Sequence, residues 1–215
     1  MEGPLDVISV RVLGSLIEKE ITTPDNYPLT LNSLIAACNQ TSNRDPVMEL
    51  DEVSVLRSVE DLRRQSLVRA VQRSDSRTMR YRHLVAESLN LTAAEVAVMC
   101  VLMLRGPQTV GEVKTRTARL FEFSDLVQTE ATIEALMTRL PDPLVVRLPR
   151  RPGQKEVRYA HLLSGQPSVD VVDLETSPTA PEPDRVALLE QSVDALRAEV
   201  AELRARFEEF RREFQ

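Results

Sequence analysis

The sequence repeats itself, and that repeat limits the fold more than any other feature of the chain. Arg80-Tyr81-Arg82-His83-Leu84 returns 78 positions later as Arg158-Tyr159-Ala160-His161-Leu162. The two stretches hold both histidines of the chain and two of its three tyrosines, which makes chance a poor account of the match. Upstream, Leu67-Val68-Arg69 falls on Val145-Val146-Arg147, and Val55, Val59 and Leu62 fall on Ile133, Met137 and Leu140. With the offset moved to 79, Leu29-Thr30-Leu31-Asn32-Ser33-Leu34 falls on Gln108-Thr109-Val110-Gly111-Glu112-Val113. Two copies of a unit of about 75 residues, the size of a small domain, therefore fill positions 5–163.

Within the first copy, Val7-Ile8, Val12-Leu13 and Leu16-Ile17 place apolar residues on one stripe and predict a helix over 5–19. Thr22-Thr23-Pro24-Asp25-Asn26-Tyr27-Pro28 breaks it, and Thr30 caps a second short helix with Leu31, Leu34, Ile35 and Cys38 inward. After a polar loop, a third helix is expected over 51–65, with Val55, Leu56, Val59 and Leu62 buried. Leu67–Gln72 and Met79–Leu84 then form a hairpin joined by a basic turn.

The second copy repeats the order. Thr92 and Glu95 make a capping box for a helix over 92–105, Gly106-Pro107 ends it, and Thr109 caps the next. A third helix is expected over 129–140, followed by strands over 144–148 and 156–162. Three helices and a hairpin are the order of a winged helix, a helix-turn-helix variant. The expected fold is mainly α with small β-hairpins: a winged-helix domain over 1–88 and a second over 89–164.

Beyond the copies the composition changes. Positions 165–184 hold four prolines and five acids without a base, as an extended linker does. From there Val186, Leu189, Val193, Leu196, Val200, Leu203, Phe207, Phe210 and Phe214 recur three and four apart. Valine at a and leucine at d favour a parallel two-stranded coil, so 185–215 is expected to pair two chains as a homodimer. The alternative is a helix folded back on its own domains.

Charge follows the same division. The net charge is −6, yet residues 1–164 carry 21 bases and 21 acids, so the acidity belongs to the tail. No apolar run approaches the roughly 20 residues that span a bilayer, and no membrane partner is expected. Cys38 and Cys100 sit in apolar helical patterns, as small buried residues of a reduced, cytoplasmic protein do. Neither histidine has a ligand-like neighbour at metal spacing, and the six glycines form no phosphate loop. Neither a cofactor nor a metal is expected, and the chain does not read as an enzyme.

The hairpins carry the strongest functional signal. Arg69, Arg73, Arg77, Arg80 and Arg82 against Asp75 give the first a net +4; Arg147, Arg150, Arg151, Lys155 and Arg158 against Glu156 give the second the same. Such charge suits phosphate contact, and it also suits an edge strand that must avoid pairing with other chains. The third helices oppose the first reading, because residues 51–65 and 129–140 each sum to −1. A helix that reads base edges usually presents arginine, lysine, asparagine or glutamine.

Leu13-Gly14-Ser15-Leu16-Ile17-Glu18-Lys19-Glu20-Ile21-Thr22-Thr23-Pro24-Asp25 resembles the opening signature of the YceH-like family of uncharacterised bacterial proteins. Ser42-Asn43-Arg44-Asp45-Pro46-Val47-Met48, Leu104-Arg105-Gly106-Pro107-Gln108-Thr109 and Phe121-Glu122-Phe123-Ser124-Asp125 extend the likeness, which covers about 1–165. The resemblance implies two winged-helix domains in a cytoplasmic protein and no settled activity. Asn43 and Arg44 stand in the connection to the third helix, where they either meet a phosphate or pin the loop. The expectation is a nucleic-acid-binding protein of regulatory or architectural kind that meets duplex phosphates through Asn43, Arg44, Arg73, Arg77, Arg150, Arg151 and Lys155. The alternative is a scaffold for a protein partner, docking on the winged-helix faces without DNA.

Overall fold

Six helices begin at a side chain that turns back on the chain. Asp6, Thr30, Asp51, Thr92, Thr109 and Asp125 each accept a hydrogen bond from the backbone amide three residues on, at 2.6–3.3 Å. Each such cap is worth about 1 kcal/mol and fixes where its helix starts. In this computed structural model, which describes residues 3–72, 78–150 and 156–166, the caps open α1 (Val7–Thr22), α2 (Leu31–Cys38), α3 (Glu52–Arg64), α5 (Ala93–Arg105), α6 (Val110–Thr117) and α7 (Leu126–Met137). A one-turn helix, α4 (Val85–Ser88), links the copies. The chain divides into two units, 1–169 and 170–215, and the second lies outside the described residues.

Each copy closes with antiparallel strands. β1 (Leu29–Thr30), β2 (Val68–Gln72) and β3 (Met79–His83) form a sheet of order β1-β3-β2, with Tyr81 opposite both Leu29 and Ala70. In the second copy β4 (Val145–Arg147) pairs with β5 (Tyr159–His161), and the counterpart of β1 shrinks to one bridge between Gln108 and Tyr159. β1 escapes the sequence pattern because two residues carry no periodicity.

The two copies share one core. Ser9–Glu18 of α1 and Val96–Leu104 of α5 are buried all round, so the helices cover each other. Gly14 permits this approach: a Cβ there would lie 2.9 Å from Leu104 Cδ2 and 3.2 Å from Met103 Cβ. The Cys100 thiol points at the Gly14 carbonyl at 3.5 Å, and both cysteines are buried and free. Leu5 N–H donates to Leu163 O at 2.7 Å, joining the start of the first copy to the end of the second. No helix among the described residues is long and apolar enough to cross a membrane.

The repeat needs one correction. Asp51 and Asp125 cap the third helices, and Leu62 O and Leu136 O receive the first amide before each hairpin, from Leu67 and Leu144. Val55, Val59 and Leu62 therefore correspond to Thr129, Ile133 and Leu136, all buried, and not to Ile133, Met137 and Leu140. Leu140 is 87% exposed. The helix also ends at Met137 rather than Leu140, with Thr138 as its C-cap. The strands likewise shift: Val68 and Val145 face His83 and His161, so Val68 matches Val145 rather than Val146. Leu56, expected inward, is exposed.

Candidate functional site

The hairpin arginines divide into two groups. Arg80 Nη1 donates to Pro28 O at 2.9 Å, and its counterpart Arg158 donates to Pro107 O at 2.8 Å. Both fasten the last strand to the turn before the second helix of their copy. Arg158 also pairs with Glu112 at 2.9 Å, and Arg82 with Glu87 at 2.6 Å. Arg69, Arg147 and Arg150 are exposed and have no acid partner among the described residues. Arg69 stands directly opposite Arg82 in the ladder, a like-charge pairing that costs stability. Arg73, Arg77, Arg151 and Lys155 lie outside the described residues, as do Val186, Leu189, Val193, Leu196, Val200, Leu203, Phe207, Phe210 and Phe214.

Arg44 is not on the surface. It is 6% exposed, and its guanidinium donates to Glu18 Oε2 at 2.6 Å, to Ala37 O at 2.8 Å and to Asn43 O at 3.1 Å. Such a cation is held inside the fold and is not presented to a phosphate. Glu18, 1% exposed on α1, gives its other oxygen to Arg119 from beyond α6. Asn43 adopts a left-handed backbone (φ 59°) and accepts from Arg105 at the end of α5. Asp45 N–H donates to Leu104 O at 2.9 Å. The Asn43-Arg44-Asp45 turn thus bonds to Glu18 of its own copy and to α5 of the other, making a polar seam between them. Arg11 lies beside it, donating to Cys38 O at 3.1 Å and Pro46 O at 2.5 Å; burial, then the charge of Arg44, lower its pKa.

The third helices present a mixed face. Arg63 pairs with Glu60 and Arg64 with Asp61, which neutralises the last turns of α3. The second residue after each cap is a valine, Val53 in α3 and Val127 in α7, and each is 74% exposed. Leu56 and Leu126 widen the exposed apolar surface near each.

The duplicated histidines have different neighbours. His83 Nδ1 accepts from Val85 N–H at 3.2 Å, so Nε2 carries the hydrogen, and Glu20 Oε2 lies 2.8 Å from Nε2. Its backbone N–H donates to the Tyr27 hydroxyl at 2.7 Å. His161 has a buried Nδ1 with no partner among the described residues, and burial pushes its pKa down to about 4. Counting back three residues from the helix C-caps Thr23 and Gly106 gives Glu20 in the first copy and Met103 in the second, so no acid stands at the matching place.

Sequence reading passed over Glu18, Arg11, Arg105 and Arg119. A signal was present for two of them. Arg11 is flanked by Val10 and Val12 and lies a turn from Val7 and Ile8, and Glu18 follows Leu16-Ile17 directly, so both charges interrupt the apolar run of the first helix. A charge so placed has to find a partner indoors.

A model of the family described as protein of unknown function, DUF480, matches residues 5–154. The UPF0502 protein of Opitutus terrae is 51% identical over 199 residues, which span 91% of this chain and 86% of its own. The UPF0502 protein of Geobacter sulfurreducens is 50% identical over an alignment of 222 positions covering both chains entirely. That of Photobacterium profundum is 44% identical over 204 residues, 90% of this chain and 92% of its own. With the match running through both copies and the polar seam between them, the chain belongs to the DUF480 family of bacterial proteins, which includes the UPF0502 proteins.

Proposed function

We propose that the protein is a non-enzymatic, tandem winged-helix protein that binds nucleic acid through its hairpins and pairs with a second copy through the heptads of 186–214. The winged-helix reading is supported by chain order and pairing: a helix, an edge strand, two helices, then a hairpin whose last strand lies in the middle of the sheet. The observation that carries nucleic-acid binding is the division of the hairpin arginines. Arg80, Arg82 and Arg158 are tied to the fold, whereas Arg69, Arg147 and Arg150 are exposed with no acid partner among the described residues, and Arg69 stands opposite another arginine. A merely solubilising strand has no need of that last pairing. Phosphate contacts from such side chains give affinity and salt dependence without base reading, which agrees with the acidic third helices.

A second reading, docking of a protein partner, is favoured by the valines exposed at the same place in α3 and α7. Duplex binding measured across salt concentrations separates the two. Nucleic-acid binding predicts a slope of log K against log salt of about −0.9 per phosphate contact. The slope flattens with glutamine at Arg69, Arg147 and Arg150, and again with glutamine at Arg73, Arg77, Arg150, Arg151 and Lys155. Absence of wild-type binding at low salt, or an unchanged slope in both variants, removes the nucleic-acid reading and leaves the valine faces. Light scattering of the same sample is expected to give a dimer mass; a monomer removes the coil.

A further inference from the structure

We propose that Arg105, Arg116 and Arg119, at the seam between the copies, form a binding site for a phosphate group. Contacts bring Arg105 and Arg119 to one place, and Arg116, three residues before Arg119, is near enough for its charge to act on Arg105. Arg105 is tied to Asn43, whose neighbour Arg44 shares Glu18 with Arg119. Arg116, on the last turn of α6, reaches Glu112 at only 3.4 Å, and Glu112 is shared with Arg158 at 2.9 Å. Asp45, exposed at the turn, faces Arg105 and Arg11.

The charges around this seam do not balance. Among the described residues, Arg11, Arg44, Arg105, Arg116, Arg119 and Arg158 share three carboxylates, those of Glu18, Asp45 and Glu112. Cations at helix C-termini are expected on dipole grounds, and Arg105 and Arg116 each end a helix. Each helix end supplies only about half a negative charge, so roughly two positive charges remain uncompensated. A phosphate group carries about that charge and offers oxygens to several guanidiniums at once. Burial and the fields of Arg116, Arg119 and Arg44 depress the pKa of Arg105, the repulsion that a bound anion would relieve. The seam is also open: Arg119 is exposed, and Arg105 and Arg116 are half-buried.

The site does not depend on the hairpin reading, and inorganic phosphate tests it directly. Calorimetric titration at constant ionic strength is expected to show one saturable phosphate per chain, with chloride giving none. Arg105→Gln with Arg116→Gln should weaken binding by about tenfold or more, the equivalent of one charge-assisted hydrogen bond. Arg116→Gln alone, which disturbs only the long contact to Glu112, should show part of that loss with unchanged thermal stability. Arg57→Gln, on the exposed face of α3, should leave it intact. No saturable phosphate binding by the wild type, or undiminished binding in the double variant, overturns the site. A duplex arm identifies the source. Loss of phosphate binding with a salt slope lower by about 1–2 assigns the site to a nucleic-acid backbone. Loss of phosphate binding with unchanged duplex affinity assigns it to a free phosphate compound.

Discussion

The first copy holds its partner; the second fills itself. The contrast is sharpest in the connection between the second and third helices. In the first copy the connection opens with polar residues 39–45: Asn39 clamps Leu50 through its amide nitrogen and oxygen at 2.8–2.9 Å, Asn43 accepts from Arg105, Arg44 donates to Glu18 and Asp45 N–H to Leu104 O. In the second copy, residues 118–125 send Arg119 across to Glu18 but turn their aromatic rings inward, with Phe123 buried and Phe121 edge-on to it at 4.9 Å. The same plan thus solves two problems. The first connection brings a whole polar turn to where the copies meet, which dispersion forces alone specify weakly, while the second adds a single cation there and uses its aromatic volume for a small core.

The largest effect is expected where that charge is removed. Glu18→Leu leaves Arg44 buried without its acid and should cost about 3–5 kcal/mol in urea unfolding. Arg119, exposed, recovers its hydration and adds little. Glu18→Leu combined with Arg44→Met should lose less than the sum of the single changes by about 2 kcal/mol, since no unpaired charge then remains inside. Additive single costs below about 1 kcal/mol would mean that water reaches the seam and that the copies are held by α1 against α5 alone.

Local chemistry made much of this fold legible and left the seam hidden. The cap Thr30, the capping box Thr92–Glu95 and the hairpins around Tyr81 and Tyr159 depend on residues a few positions apart, so their spelling is visible in sequence. The third helices of the copies were aligned a turn out of place for a physical reason. Offsets of 78 and 74 differ by four residues, close to the 3.6 of one helical turn, so apolar positions coincide under either. The caps Asp51 and Asp125 distinguish them, because a cap has no period. Glu18 meets Arg44 and Arg119 across 26 and 101 positions, and no periodicity reports a contact of that range. Of the candidate hairpin residues, Arg150 is exposed, and those of the turns lie outside the described residues.

A middle-sized effect should separate the copies by pH. His161 has its pKa lowered to about 4 by burial, so between there and its unfolded value the unfolded chain binds a proton that the folded chain refuses. Stability is therefore intact at neutral pH and falls as pH drops through roughly 6.5 towards 4, by on the order of 2–3 kcal/mol. His161→Leu should flatten the stability curve over that window in denaturant titrations at successive pH values. A slope unchanged by the substitution would show that the ring is hydrated and that the second copy has no acid-sensitive strand of its own.

The smallest effect belongs to the first copy's fastening. Glu20 Oε2 lies 2.8 Å from His83 Nε2, and this polar contact, followed by the charge of Arg82, holds its carboxyl below the ordinary range against the opposing effect of burial. A lowered carboxylate pKa stabilises the fold above the unfolded value and ceases to do so as pH falls through the folded one. The Glu20 side chain is 40% exposed, so solvent screens the pair, and Glu20→Gln should cost only about 0.5–1 kcal/mol at neutral pH. That cost should persist down to about pH 4.5 and vanish below it, where the wild-type carboxyl is itself protonated. The acid windows of the two copies would then be consecutive, His161 acting first and Glu20 after it. A Glu20→Gln cost that grows towards low pH would reverse the sign of the pair. It would leave the Tyr27 hydroxyl, which accepts from His83 N–H, as the main fastening of that strand.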